Sequence, residues 1–470
     1  MENLEEKVIM AQSGTHYALS SVAGQGAQGI VYDTTDNQCV VKLYKHENEL
    51  KDRKKLKKLE WLMAISTPDQ FIRPVDIFNE PYIGYAMKKV LNHISLNKLL
   101  FPNRDMSFSD WYNSETGGLY RRLYLGYKIA MQFSQLHKKN LAYCDISGSN
   151  ILVNKDKKIA SVCMIDIDNI YIPGDDDVNV LGTSRYMAPE ILTRQCNPDI
   201  FTDSYSLAVI LFELLRVGHP YIGDLVEDGT PEQMTEAYKG FYPYVDDAST
   251  DINRSSQMLP AEVVFTTELK NLFAKTFVDG KKNRLERTRA HEFALALLKA
   301  TNLLVKCKKC NNWHYAVPNV EHKYLCPWCD AEYEKPLRLA FYDKYACKKN
   351  DRTISLKDRH ICDYILKTTQ KNVLTKNYVA DIYAENEKKS IEPYCCIRLG
   401  KDKNFYVVND QGLDVFVQVA GVNHFVSVEK GSMQEINKGD TLLFRNPSKL
   451  SYEYLDGNIQ GVSFRYAVVR

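Results

Sequence analysis

At 470 residues the chain has room for about three domains of roughly 150 residues each. Hydrophobic residues make up 44%, enough for globular cores and too many for a disordered chain, and a formal charge of +2 creates no global field pointing to nucleic acid or a membrane surface. The longest apolar stretch, Leu207 to Leu215, is broken by Glu213 and falls far short of the ~20 residues a membrane span needs. The acidic start Met1-Glu2-Asn3-Leu4-Glu5-Glu6 lacks a signal-peptide core, and the 12 cysteines are scattered apart from one regular cluster. A cytoplasmic, reduced protein is the simplest expectation.

Three strands are predicted first, at Tyr17 to Val22, Ile30 to Thr34 and Cys39 to Tyr44, with a turn at Asp36-Asn37 joining the last two. The first two flank Gly24-Gln25-Gly26-Ala27-Gln28-Gly29. Because Ile30-Val31-Tyr32 continues as a strand and opens no helix, this glycine loop is a β-hairpin; without Cβ atoms, its amides can close over phosphates. Lys42 lies between Val41 and Leu43 in an apolar strand, so its ammonium must reach solvent or a partner. Residues 50–66 show helical spacing through Leu56, Leu59, Leu62 and Met63, and the six basic residues from Lys51 to Lys58 read as its wet face. Glu60 on this helix is the preferred partner of Lys42, since Glu47 and Glu49 lie too close along the chain. Tyr82 to Val90 returns to strand character. Helical periodicity follows at Leu119 to Lys138, Asp203 to Val217, Glu268 to Phe277 and Thr288 to Lys299. A β-rich front and a helical back predict two lobes.

The most specific stretch is Leu141 to Val153, in which Asp145 is followed five residues later by Asn150 between apolar flanks. That spacing presents a base and a metal ligand together. Asp166 follows the apolar run Val162 to Ile165, where a carboxylate is costly unless it binds a cation.

With Gly182-Thr183-Ser184-Arg185-Tyr186-Met187-Ala188-Pro189-Glu190, Asp203 to Leu207, and Arg287 before Thr288, residues 15–300 resemble the eukaryotic-type (Hanks-type) serine/threonine protein kinases, a resemblance that implies pairing of Arg287 with Glu190. The resemblance implies an α+β, bilobal protein kinase fold acting on a protein substrate with ATP and Mg2+. By the same resemblance Gly24, Gly26 and Gly29 cover the phosphates, and Lys42, oriented by Glu60, holds the α- and β-phosphates. Val31, Met87 and Val90 border the nucleotide, with Met87 gating the adenine pocket. Asp145 accepts the proton of the attacking hydroxyl, and Asn150 and Asp166 hold magnesium. Three positions depart from the family pattern. Cys144 stands where an arginine would receive an activation-loop phosphate, Ser147 where a lysine would meet the γ-phosphate, and Asp168 where a glycine would sit. The alternative is a nucleotide-binding pseudokinase scaffold. The lysine, the base and the metal aspartate all remain, which favours an active enzyme.

At about 303 the composition shifts. Cys307-Lys308-Lys309-Cys310 and Cys326-Pro327-Trp328-Cys329 are two C-x-x-C pairs, predicting a structural Zn2+ site in a zinc ribbon over 303–335. Four thiolates fill a tetrahedral site, so His314 and His322 are expected to face solvent. Residues 336–390 are assigned to a linker or left without a fold. From 391 to 470 a small all-β domain is predicted, with turns at Asp410-Gln411-Gly412, Lys438-Gly439-Asp440 and Asp456-Gly457-Asn458. Arg398 to Lys401 and Asn437 to Asp440 faintly resemble forkhead-associated domains, but the phosphothreonine-binding serine and histidine are missing, which favours a protein-docking role. A kinase followed by a ribbon and a β tail resembles bacterial kinases of stress-response operons. That resemblance implies a PP2C-type phosphatase and a von Willebrand A protein as partners. Glu321, Asp330, Glu332 and Glu334 beside Lys306, Lys308 and Lys309 argue against nucleic acid.

Overall fold

A computed structural model describes residues 4–26, 28–46, 49–171, 182–350, 353–368, 371–379, 392–447, 453–455, 458–460 and 464–470. Ala27 of the glycine loop, Glu47 and the turn expected at Asp456-Gly457 lie outside the described residues. The chain divides into two compact units, Met1–Leu298 and Lys299–Arg470. No helix among the described residues is long and apolar enough to cross a membrane.

The first unit opens with β1 (Val8–Met10), β2 (His16–Gln25), β3 (Gly29–Thr34), β4 (Cys39–Tyr44), α1 (Glu49–Ala64), β5 (Pro74–Phe78) and β6 (Gly84–Lys88). The strands form one antiparallel sheet in the order β1-β2-β3-β4-β6-β5. Two of them escaped the sequence pattern: β1 has three residues, and β5 starts on a proline and carries Asp76. The N-terminal segment ties the sheet's two edges, because the Gln12 N–H donates to the Ile77 carbonyl at 2.8 Å and the Ser13 hydroxyl bonds Asp76. Leu4, Leu19, Val41, Leu43, Phe78 and Ala86 fill the interior. Register puts Lys42 opposite Val31 on one side and Tyr85 on the other.

The rest of the unit is mainly helical, as the sequence predicts. It contains β7 (His93–Ser95), α2 (Asn97–Leu100), α3 (Gly118–His137), β8 (Ile151–Asn154), β9 (Val162–Met164), α4 (Pro189–Leu192), α5 (Ile200–Arg216) and most of the helix Ala290–Asn302, which runs past the unit's last residue, Leu298. The strands β7, β8 and β9 pair in that order and carry the polar loops around Asp145 and Asp166. A capping box starts α5: Asp199 accepts from the Phe201 and Thr202 amides, and the Thr202 side chain bonds back. From Thr202 to Arg216 every α5 residue is buried, so this helix is the core of the lobe, and its charged groups need internal partners.

In the second unit, small hairpins pair β10 (Leu304–Lys306) with β11 (Trp313–Tyr315) and β12 (Tyr324–Leu325) with β13 (Glu332–Tyr333). Two larger sheets follow. One has the order Thr353–Ile365, Arg338–Asn350, Phe464–Val469, Thr441–Leu443, Phe416–Gln418, Val426–Ser427; the other runs Asn372–Thr375, Pro393–Leu399, Phe405–Val408, Met433–Ile436. Leu339, Phe341, Val417 and Leu442 from the first meet Leu374, Ile397, Val407 and Ile436 from the second in one apolar cluster. The described residues between 336 and 379, expected to be a linker or left without a fold, belong to this packed module; 380–390 lie outside the described residues. Arg338–Asn350 pairs with both Thr353–Ile365 and the last strand, so a boundary at 391 cuts through a sheet. The signal was hidden because charged and apolar residues mix along these strands.

Candidate active site and metal centre

Lys42 is 6% exposed, and its ammonium is shared by three side chains: Asp166, Asp168 at 2.9 Å and Gln28 at 3.4 Å. Burial opposes its charge, but the carboxylates of Asp168 and Asp166 outweigh burial and raise its pKa. Asp166 has a left-handed backbone, φ 61, and opens the short 3-10 turn Ile167–Asn169 that carries Asp168. The two carboxylates diverge in character. Burial and then the charge of Asp168 push the Asp166 carboxyl up to about 6. Burial raises Asp168 as well, but the charge of Lys42 and hydrogen bonds from Lys42 and Tyr44 overcome it and hold Asp168 below the ordinary range.

Asp145 follows Cys144, whose backbone is also left-handed at φ 72. Asp203 of α5 holds this loop, accepting from the Tyr143 amide at 2.6 Å and the Cys144 amide at 3.0 Å. The Tyr143 hydroxyl donates to the Ile165 carbonyl, tying the loop to the approach to Asp166. Asn150 donates its amide to the Asp145 carboxylate at 2.9 Å and to the Asp145 carbonyl at 3.0 Å, while the Thr183 N–H reaches the other carboxylate oxygen at 3.3 Å. The Ile165 amide donates to the Asn150 carbonyl at 3.0 Å, so the segments carrying Asp145, Asn150 and Asp166 form one bonded array. Burial raises the Asp145 pKa, opposed by the bonds from Asn150 and Thr183.

With that geometry in place, residues 17–294 match the family model described as "Protein kinase domain". The chain belongs to the protein kinase family. Its relatives include the serine/threonine-protein kinase PknD of Chlamydia abortus, 25% identical over 244 residues that cover 44% of this chain and 24% of that one. Another is the serine/threonine-protein kinase nekl-2 of Caenorhabditis elegans, 24% identical over 228 residues that cover 44% of this chain and 60% of that one. The chain thus spans less than two thirds of either relative's length. Among solved structures, it is similar to the autoinhibited serine kinase domain of the giant muscle protein titin, at 18% identity and a TM-score of 0.44, covering 60% of this chain and 80% of that one.

The kinase domain departs from the sequence reading at Glu60. This residue lies on the exposed face of α1, whereas Leu59 and Leu62 turn inward, at 1% and 0% exposure. Burying two leucines decided the helix's rotation, and Glu60 sits about 100° round from Leu59. Met87 is buried on β6, and Val31 and Val90 are half-buried. The glycines divide. A Cβ on Gly29 would strike the Leu43 carbonyl, so the sheet itself requires that glycine, while Gly24 and Gly26 have open space where a Cβ would stand. Such an open stretch of backbone suits close approach by phosphates. Arg287 pairs with Glu190 through two bonds of 2.6 and 2.8 Å, as their places in the sequence suggested. Ser147 is buried with its hydroxyl 2.8 Å from Ser149, turned into the loop. Asp203, Tyr143 and Tyr44 support the site, a role the sequence did not assign to them. Only Asp203 carried a signal, as a charged residue opening an apolar helix.

In the second unit, the sulfur atoms of Cys307, Cys310, Cys326 and Cys329 all lie within 4.8 Å of one another. Cys307 and Cys329 are 3.7 Å apart, as are Cys310 and Cys326. A tetrahedron with Zn–S bonds of about 2.3 Å has edges of about 3.8 Å, so the donor set fits zinc, and these separations are far beyond the ~2.05 Å of a disulfide. Burial opposes the Cys307 thiolate, but bonds from the Cys310 and Lys309 amides bring its pKa down to about 7. Contrary to expectation His314 is fully buried, giving its Nδ1 proton to the Tyr315 carbonyl at 3.0 Å and packing on Tyr333; His322 is exposed. The ring completes the apolar support that so small a module needs.

Proposed function

We propose that this chain is an ATP- and magnesium-dependent protein-serine/threonine kinase. The observation that carries the reading is the convergence of Lys42, Asp145, Asn150 and Asp166 on one bonded array. The donor set fits the cation: the carboxylates of Asp166 and Asp168 meet at one ammonium, that of Lys42. Asn150 and Asp166 would hold magnesium, which supplies charge neutralisation for the transferring phosphoryl group. Gly24, Gly26 and Gly29 would cover the phosphates, Lys42 would bind the α- and β-phosphates, and Val31, Met87 and Val90 would border the base. Asp145, its carboxylate aimed by Asn150 and Thr183, takes the proton from a serine or threonine hydroxyl of the protein substrate. Its raised proton affinity suits that task.

Cys144 replaces the phosphate-receiving arginine, so activity is independent of activation-loop phosphorylation, and phosphatase-treated enzyme keeps its full rate. The four cysteines hold a structural zinc, and the β module docks protein partners. By family resemblance the setting is bacterial stress signalling in the cytoplasm, with a PP2C-type phosphatase and a von Willebrand A protein nearby. The deciding experiment compares wild type with Asp145→Asn and Lys42→Met for transfer of labelled γ-phosphate. Losing the base lowers the rate by about 10²–10⁴. Equal phosphorylation by Asp145→Asn would instead favour a nucleotide-binding scaffold.

A further inference from the structure

We propose that Asp168, and not a carboxylate of helix α1, is the positioning residue for Lys42. This inference rests on the kinase reading and deepens it. Three observations converge on it. Helix α1 leaves Glu60 outside, and its buried carboxylate, Asp52, pairs with His46 at 2.6 Å, so the preferred helix partner is missing from the cleft. Asp168 is 8% exposed and accepts from the Lys42 ammonium at 2.9 Å and from the Tyr44 hydroxyl at 2.6 Å. Tyr44 lies on the same strand as Lys42, two residues on, and its ring packs on Tyr85, the cross-strand neighbour of Lys42. A strand thus supplies both the lysine and the hydroxyl that aims the lysine's counter-ion.

The position of Asp168 in the chain gives this arrangement its consequence. Asp166 and Asp168 leave the same turn and both bond the Lys42 ammonium, but only Asp168 is also held by Tyr44. When Asp166 serves a cation, Asp168 remains as the anion that keeps Lys42 extended. The lysine's anchor therefore moves with the magnesium ligand and not with α1. Helix α1 still packs beside the turn, and its Lys55 ammonium lies 5.3 Å from the centre of the Tyr44 ring.

The test uses the full chain and two readouts: displacement of fluorescent ADP in EDTA, and kcat and KM for ATP with magnesium. Asp168→Asn weakens metal-free ADP binding by about tenfold to hundredfold, the worth of one charged hydrogen bond, and raises KM while lowering kcat. Tyr44→Phe, which keeps the packing, weakens binding in the same direction by about threefold, while Glu60→Gln leaves both readouts unchanged. In a Lys42→Met background, Asp168→Asn adds less than about twofold, because it acts through that lysine. Melting curves confirm that each variant is folded. Additive losses in the double variant, or an Asp168→Asn protein that binds ADP normally but needs more magnesium, overturn the proposal. Failure of the kinase reading looks different: wild type and Lys42→Met then bind ADP equally poorly, and the proposal falls with it.

Discussion

The cleft and the cysteine cluster both crowd anionic groups, yet they are built in opposite ways. In the cleft, Lys42 and Asp168 are 126 positions apart in sequence and meet only because β4 and the turn after β9 pack together. The four cysteines fall within 22 positions, on two tight turns carried by small hairpins. One site is a product of the fold; at the other, the proposed zinc would organise the fold around it. A site of the first kind survives loss of its cation, held by Lys42, Tyr44, Asn150 and Asp203. A site of the second kind does not, because too little apolar surface surrounds it.

The sharpest way to break that contrast is to remove zinc. Chelation unfolds the 303–335 module, forfeiting a metal-binding energy on the order of 10–16 kcal/mol, while the kinase unit keeps its melting transition. A metal assay returning well below one zinc per chain, or a module whose circular dichroism ignores chelator, would contradict this. Next in size is Asp145→Asn, which costs about 10²–10⁴ in rate without changing the melting temperature of either unit. A smaller but clear effect is expected from Arg287→Ala. It leaves the half-buried Glu190 without its bidentate partner and costs about 1–3 kcal/mol by urea titration.

The pH response sharpens the comparison further. His219 is buried, its Nε2–H on the Arg185 carbonyl at 2.9 Å, and burial and then the Arg185 charge hold its pKa well below 6.5. The neutral form is favoured in the folded state. Its contribution is therefore present above about pH 6.5 and lost as pH falls, at up to about 1.4 kcal/mol per pH unit. Unfolding measured from pH 7.5 to 5 should show this slope in the kinase unit, and His219→Gln should flatten it. The smallest expected effect is at Glu60, where Gln leaves rate and stability unchanged. A large loss there would return the helix carboxylate to the site.

Legibility follows the same division. The cysteine spacing could be read directly, because a C-x-x-C turn determines where its two sulfurs go. The strands β2, β3 and β4 and helices α1, α3 and α5 were also visible in their apolar periodicity, close to the bounds observed. Asp145, Asn150 and Asp166 could be enumerated, since few other reasons place polar groups at those points between apolar runs. Their wiring could not. Glu60 and Leu59 are adjacent in sequence, and only the packing of α1 decided which of them faces inward. Nothing local announces that Tyr44 and Asp168 meet, or that Arg338–Asn350 pairs with the final strand.

The sequence by itself determined the secondary structure that carries the kinase unit, the family it belongs to and the donors of the cysteine cluster, because these depend on periodicity and short spacings. Tertiary structure alone decided that Asp166 and Asp168 rather than Glu60 answer Lys42, how Asp203 and Tyr143 hold the loop of Asp145, and where the second unit's sheets close. Those outcomes depend on which apolar faces bury against each other, and contacts between residues far apart in the chain leave no local trace.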